Sequence, residues 1–211
     1  ALGTPDISLF EMVGAYGTFV NKGIYIEPII ITRIEDKNGM PLFEVVPNTT
    51  DVISQEAAYV TINLLKGVTK YGSGGRLRHA GLEKTNYVYE NVVTGYPYIF
   101  DNPIAGKTGT TQNQSDGWFI GMVPNLVSGV WVGGEDRSIH FEEIAFGQGA
   151  TMALPIWALY MKRAYEIPDL QISIDDFEEP EKLTINIDCE NMLSPKEIKP
   201  REKTNLKELG F

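Results

Sequence analysis

Apolar residues recur at helical spacing at Leu9, Met12, Val13, Tyr16, Phe19 and Val20, which predicts a helix with one buried face. Ser8 and Glu11 stand three apart at its start, the spacing of a capping box, and Asn21-Lys22-Gly23 supplies the stop. The period then changes. Ile24 to Ile34 is β-rich and interrupted by Pro28, and Asp36-Lys-Asn-Gly39 turns the chain into Pro41 to Val46. This reads as a hairpin near a sheet edge, where prolines are tolerated. Ser54 is placed to cap a second helix with Ala57, Ala58, Leu64, Leu65 and Val68 on its inner side, ending near Thr69. Two apolar segments, Trp118 to Val123 and Leu126 to Val132, are separated only by Pro124-Asn125 and predict a second hairpin. A third helix follows Phe146-Gly-Gln-Gly-Ala150, with Met152, Pro155, Ile156, Leu159, Tyr160 and Met161 as its apolar face. Pro155 is expected in its first turn, where a missing N–H costs little. Trp118, Trp131 and Trp157 are expected to anchor the core.

Two regions break this regularity. Tyr71 to Asp101 carries the cluster Gly72-Ser-Gly-Gly75 and reads as a loop, with Arg76 and Arg78 as solvated loop arginines. From Ile167 onward the composition turns charged, notably over Asp175 to Glu181 and Lys196 to Lys207. Residues 167–211 are therefore expected as an extended tail that hugs the domain or is partly disordered, with Leu183 to Ile187 offering one short strand.

Composition narrows the function classes. The 211 residues suffice for one domain with an appendage. A net charge of −10 leaves no basic excess to neutralise phosphates, which argues against a nucleic-acid partner. The single cysteine, Cys189, excludes an intrachain disulfide. His79 and His140 lie far apart with no cysteine pair beside them, so neither a metal nor a cofactor is expected. No apolar run approaches the length of a membrane span. The chain opens at Ala1 with no signal-like segment and reads as an excerpt.

The candidate chemistry lies in Pro103-Ile-Ala-Gly-Lys-Thr-Gly-Thr-Thr111, followed after a polar turn at Gln112-Asn-Gln114 by Ser115-Asp-Gly-Trp-Phe-Ile-Gly-Met-Val123. Lys107, Thr108 and Thr110 bring a cation and two hydroxyls to one strand. Gly109, lacking a side chain, lets a ligand lie flat and exchange main-chain hydrogen bonds with it. Such an edge suits an anionic, peptide-like ligand. A phosphate-binding loop is excluded, because Asp101 stands where that pattern needs glycine and no helix follows Lys107-Thr108.

Ala105-Gly-Lys-Thr-Gly-Thr-Thr111, Asp116-Gly-Trp-Phe-Ile-Gly121 and Val130-Trp-Val-Gly133 occur in this order at short spacing. Together they resemble the transpeptidase domain of class A penicillin-binding proteins, the bifunctional peptidoglycan glycosyltransferase/transpeptidases. The resemblance runs from about Leu2 to Tyr165. It implies an α+β fold of the serine β-lactamase/penicillin-binding-protein type, an antiparallel sheet flanked by helices, with residues 1–166 as the C-terminal half of that domain. It also implies a D,D-transpeptidase that cross-links peptidoglycan stem peptides, is acylated by β-lactam antibiotics, and works in the cell envelope on the periplasmic side of the inner membrane. Membrane attachment would come only through an N-terminal anchor absent from these residues. Carried onto matching positions, Lys107 and Thr110 take catalytic roles, and Thr108, Gly109, Thr110 and Thr111 bind substrate. The Lys-Thr-Gly triplet corresponds to the third motif of serine penicillin-recognising enzymes. Neither Ser-x-x-Lys nor Ser-x-Asn occurs in the 211 residues, and Thr61-Ile-Asn63 falls mid-helix, so the nucleophile-bearing half is expected elsewhere in the parent. The chain alone is then expected to be inactive and to expose apolar surface. The alternatives are a β-lactamase or D,D-carboxypeptidase of the same fold, or a non-catalytic envelope module that uses the sheet for protein contacts.

Overall fold

The computed structural model describes residues 6–78 and 98–187. The chain enters α1 (Leu9–Val20) through the expected capping box: Ser8 N–H donates to Glu11 Oε2 at 2.8 Å, and Glu11 N–H donates to Ser8 Oγ at 3.2 Å. The helix stops where Lys22 and Gly23 take positive φ. β1 (Ile24–Ile26) then ends at Pro28 and finds its partner only after an intervening hairpin, in β4 (Thr49–Asp51). That hairpin, β2 (Arg33–Glu35) and β3 (Pro41–Glu44), closes on Asp36, whose Oδ1 accepts from the N–H groups of Asn38 and Met40. The expected single hairpin is thus two nested ladders.

Ser54 caps α2 (Gln55–Lys70) by accepting from Ala57 N–H. Its buried residues are Ala58, Ile62 and Thr69, while Leu64 is 70% exposed. The assignment of Ala57 and Leu64 to the inner side is therefore corrected. The line Ala58–Ile62–Leu65–Thr69 follows the helical period, and Leu64 points away from it. Thr61 and Asn63 sit mid-helix, bonded to the carbonyls of Ala57 and Tyr59.

The second predicted hairpin forms, and a third strand joins it. β5 (Ala105–Thr110), β6 (Asp116–Val123) and β7 (Leu126–Gly133) make an antiparallel sheet in the order β5-β6-β7, in register Thr108↔Phe119↔Val130. α1 covers one face, where a Cβ on Gly129 would lie 2.8 Å from Leu9 Cδ1 and 2.9 Å from Val13 Cγ2. Behind α3 (Ile144–Gly147), α4 (Gly149–Tyr165) covers the other face. There the indole of Trp157 fills the space above Gly121, 2.3 Å from where a Cβ would stand.

The buried face of α4 runs through Ala150, Ala153, Leu154, Trp157, Ala158, Met161 and Ala164; Ile156, Leu159 and Tyr160 face outward. Small residues carry the close approach to the sheet, which a search for large apolar positions overlooks. Pro155 lies in the second turn rather than the first. Ile144–Tyr165 has the length and apolarity to cross a membrane by composition, contrary to the sequence expectation. Yet extended backbone at Gln148 breaks it in two, and the side of α4 that carries Leu154, Trp157 and Met161 is buried in the domain.

Trp157 anchors the main core with Phe119, Phe100, Ile104 and Leu77. Trp131 does not: it is 42% exposed and donates its indole N–H to Asp116 Oδ1. Trp118 is half-buried and tilted against Trp131.

The chain after α4 is a strap. Asn125 holds it by donating to Gln171 O and accepting from Ser173 N–H. Phe177 plugs into a second core of Ile62, Ala105 and Met122. Lys66–Asp176 and Lys22–Glu178 ion pairs and the Glu56 carboxylate pin it further. Residues 183–187 form no strand. His79, Cys189, and the parts of the predicted loop and tail at 79–97 and 188–211 lie outside the described residues.

Glu56 accepts from Thr184 O–H at 2.7 Å and Ile185 N–H at 3.2 Å, and also from Thr184 N–H. These bonds, the Thr184 hydroxyl first, hold its carboxyl below the ordinary 4.5. A lowered folded pKa means the attachment is complete above that value and is lost as pH falls through the folded pKa. Amide exchange at Thr184 and Ile185, corrected for intrinsic rates, should rise below about pH 4.5 before that of β6; uniform protection down to global unfolding would contradict this. Gly121→Ala should cost at least about 2 kcal/mol in denaturant unfolding, because Trp157 occupies the space of the new methyl; an unchanged midpoint would show that the indole moves freely.

Candidate active site

β5 is extended through Lys107, with no helix beginning there, and is the outer strand of its sheet among the described residues. The register fixes what each side chain faces. Lys107 and Gly109 lie opposite Ile120 and Trp118, on the α1 face; Thr108 and Thr110 lie opposite Phe119 and Gly117, on the α4 face. Thr111 N–H donates to Asp116 O at 3.2 Å. Since main-chain groups of a strand alternate in direction, those of Lys107 and Gly109 turn toward β6, and those of Thr108 and Thr110 turn outward. Two amides and two carbonyls thus face the open edge.

That edge is shorter than residues 104–110. Thr69 at the end of α2 donates its hydroxyl to Ile104 O at 2.5 Å, and Ile104, Ala105 and Gly106 are buried. The accessible portion begins at Lys107. Its ammonium reaches along the strand and donates to Thr108 O at 2.8 Å. Beside it runs a shallow cleft lined by Ile7, Met12, Tyr16, Trp118 and Ile120, with Lys107, Thr108 and Gly109 as one wall. A Cβ at Gly109 would press to 3.0 Å from Trp118 Cβ, so only glycine leaves this wall flat.

Thr110 is held from the other side. The first N–H of α4, at Gly149, donates to Thr110 Oγ1 at 3.0 Å. Thr111 leaves the edge: its hydroxyl donates to Asp116 Oδ2 at 3.1 Å and accepts from Asp116 N–H at 3.0 Å, closing the turn before β6. The structure therefore brings Lys107, Thr108, Gly109 and Thr110 together and gives Thr111 to the turn.

Arg76 and Arg78 are not solvated, as the glycine-rich context had suggested. Arg76 is 5% exposed and donates to Ala150 O at 3.2 Å and Thr151 Oγ1 at 2.9 Å, tying the loop to the start of α4. Arg78 donates to Phe100 O at 2.7 Å and to Asn102 O, and burial lowers its pKa against the opposing pull of Asp101. Arg78 supplies donors to two loop carbonyls, and Arg76 fastens the glycine-rich turn to the first turn of α4. Between the arginines and β5 stands Ser73, whose Oγ lies 2.6 Å from Thr108 Oγ1. In the sequence Ser73 reads only as part of a loop, and its place between two glycines, four residues past Thr69, is the local signal that it stands in a tight turn.

Residues 1–134 match the family described as the penicillin binding protein transpeptidase domain. Penicillin-binding protein 1A of Aquifex aeolicus is 31% identical over 196 residues, which is 92% of this chain and 23% of that protein. Penicillin-binding protein 1A of Clostridium novyi is 34% identical over 170 residues, 79% of this chain and 17% of that protein. The chain thus spans about a quarter or less of these curated relatives. The crystal structure of penicillin-binding protein 1A from Haemophilus influenzae superposes with a TM-score of 0.55 at 27% identity, covering 75% of this chain and 26% of that one. The penicillin-binding protein A imipenem acyl-enzyme of M. tuberculosis gives a TM-score of 0.53 at 20% identity over 78% of this chain and 33% of that one, which is a likeness of fold. With its helices on both faces of an antiparallel sheet and its Lys-Thr-Gly strand at the rim, the chain belongs to the penicillin-binding protein transpeptidase family.

Proposed function

We propose that these residues form the substrate-gripping wall of a serine D,D-transpeptidase that cross-links peptidoglycan stem peptides and is acylated by β-lactams. The observation that carries the reading is the outward-facing main chain at Thr108 and Thr110, flanked by the Lys107 ammonium and the Thr hydroxyls. An acyl-peptide laid along this rim adds as a strand, its main chain meeting the outward N–H groups and the Thr110 carbonyl of β5, and taking Thr108 O from the Lys107 ammonium where it reaches that far. The Thr110 N–H is one half of an oxyanion hole, where a well-placed donor is worth roughly 3 to 4 kcal/mol in the transition state. Thr108 and Thr110 hold the substrate's carboxylate or acyl backbone. Lys107 contributes positive potential beside the nucleophile and favours its deprotonated form. Gly109 keeps the wall flat.

The acylated serine and its partner lysine come from residues beyond these 211, since no Ser-x-x-Lys is present. The whole enzyme places that serine opposite the Lys107 face, in the extracytoplasmic envelope, and carries the glycosyltransferase domain of class A relatives. The outcome of acylation decides between neighbouring chemistries: transfer of the acyl group to an amine marks a transpeptidase, and transfer to water a carboxypeptidase or β-lactamase.

In the full-length protein, Lys107→Ala should lower the rate of labelling by a fluorescent penicillin by about 100-fold or more, with the melting temperature unchanged because Lys107 is exposed. Labelling at the unsubstituted rate would remove Lys107 from the chemistry. No labelling of the unsubstituted protein would favour the non-catalytic envelope module.

A further inference from the structure

Ser73 has no role in the scheme above, yet its hydroxyl lies closer to Thr108 than any other side-chain oxygen in the site, at 2.6 Å. The turn that carries it is built rather than loose. Gly72 N–H donates to Gly67 O and Val68 O, Gly74 N–H donates to Val68 O, and Gly75 N–H donates to Gly72 O. A Cβ at Gly72 would meet Val68 Cα and O at 3.0 Å, and one at Gly74 would meet Thr69 Cα at 3.3 Å. The turn therefore lies flat on the last turn of α2, and both flanking positions are tight for a side chain. Arg76 then fastens the following residues to Ala150 and Thr151 of α4. Ser73 is the one residue of the turn with an exposed polar side chain, and it points at the open edge of β5.

We propose that Ser73 is a positioning residue for anion recognition at this site, acting through Thr108; the inference rests on the transpeptidase reading and deepens it. Two hydroxyls at this distance share one proton as a hydrogen bond, and only one of them keeps its own proton free. When Ser73 donates to Thr108 Oγ1, the Thr108 O–H is released to donate to a ligand carboxylate beyond the rim. The pair then acts as a relay of aligned dipoles, Ser73 O–H to Thr108 O–H to carboxylate, which strengthens the outer bond. Without Ser73, the Thr108 hydroxyl rotates freely and is free to donate to its own main chain. The ligand class this selects is an acyl donor bearing a free carboxylate near its scissile amide, the feature shared by a peptide C-terminus and a β-lactam acid. A neutral ester at that position takes no benefit from the relay.

The test uses the full-length protein and compares the second-order acylation rate for a β-lactam acid with that for its methyl ester. Ser73→Ala should slow reaction with the acid roughly tenfold, the scale of one hydrogen bond to a charged group, and leave the ester rate unchanged. Ser73→Thr should restore the acid rate, and Ser73→Ala combined with Thr108→Ala should be no slower than Thr108→Ala alone. Equal losses for acid and ester, additive effects in the double variant, or a wild-type acid rate in Ser73→Ala would each overturn the role of Ser73. Those results leave the transpeptidase reading standing; failure of the unsubstituted protein to be acylated at all would overturn both.

Discussion

Everything in this molecule turns on the outer edge of β5, which has no strand partner among the described residues. A strand at the rim of a sheet presents N–H and C=O groups that are expensive to bury and prone to pair with other chains. Among the described residues the sheet ends at β5, and the first part of that rim is covered by the hydroxyl of Thr69 on Ile104 O. The cover stops at Lys107. From there to Thr110 the outward N–H groups and the Thr110 carbonyl have no main-chain partner among the described residues, while the Thr108 carbonyl accepts from the Lys107 ammonium.

Holding such an edge open requires rigidity behind it. The large apolar anchors lie under the far side of the strand: Trp157 over Gly121, Phe119 against Trp157 at 5.1 Å between rings, and Ile104 fully buried. The polar bracket is equally specific. Arg76 joins the glycine-rich turn to α4, Gly149 joins α4 to Thr110, and Ser73 joins the turn to Thr108. α2, β5 and α4 are thereby locked around the rim, and the strap through Phe177 presses α2 against the sheet from outside. The exposed apolar residues of the β2–β3 hairpin, such as Leu42 and Phe43, contribute nothing to this lock.

Much of this was legible in the chain itself. The capping box at Ser8 and Glu11, the turn at Asp36, the cap at Ser54 and the Pro124-Asn125 turn are short-range chemistry, and each element begins or turns where those residues stand. The Lys-Thr-Gly strand was legible because the resemblance fixed its neighbours in order. What escaped was long-range. The face of α4 is made largely of alanines, so its burial depends on the glycines opposite and not on its own hydrophobicity. Arg76 and Arg78 read as solvated because nothing local announces acceptors contributed by residues 22 to 75 positions away. Ser73 meets Thr108 across 35 residues of sequence. The pairing of β1 with β4 was missed for the same reason, since Pro28 ends β1 before any local partner is reached.

The main chain of β5 is where the site is made, and its amides report on it. Residue-resolved amide hydrogen exchange of the full-length protein, with and without a bound β-lactam, reads the N–H groups of Thr108 and Thr110 directly. Rapid exchange is expected at both in the free protein and strong protection of Thr110 once the β-lactam is bound, with Lys107 and Gly109 protected throughout by β6. Thr110 already protected in the free protein, or still exchanging freely in an acylated one, would contradict this.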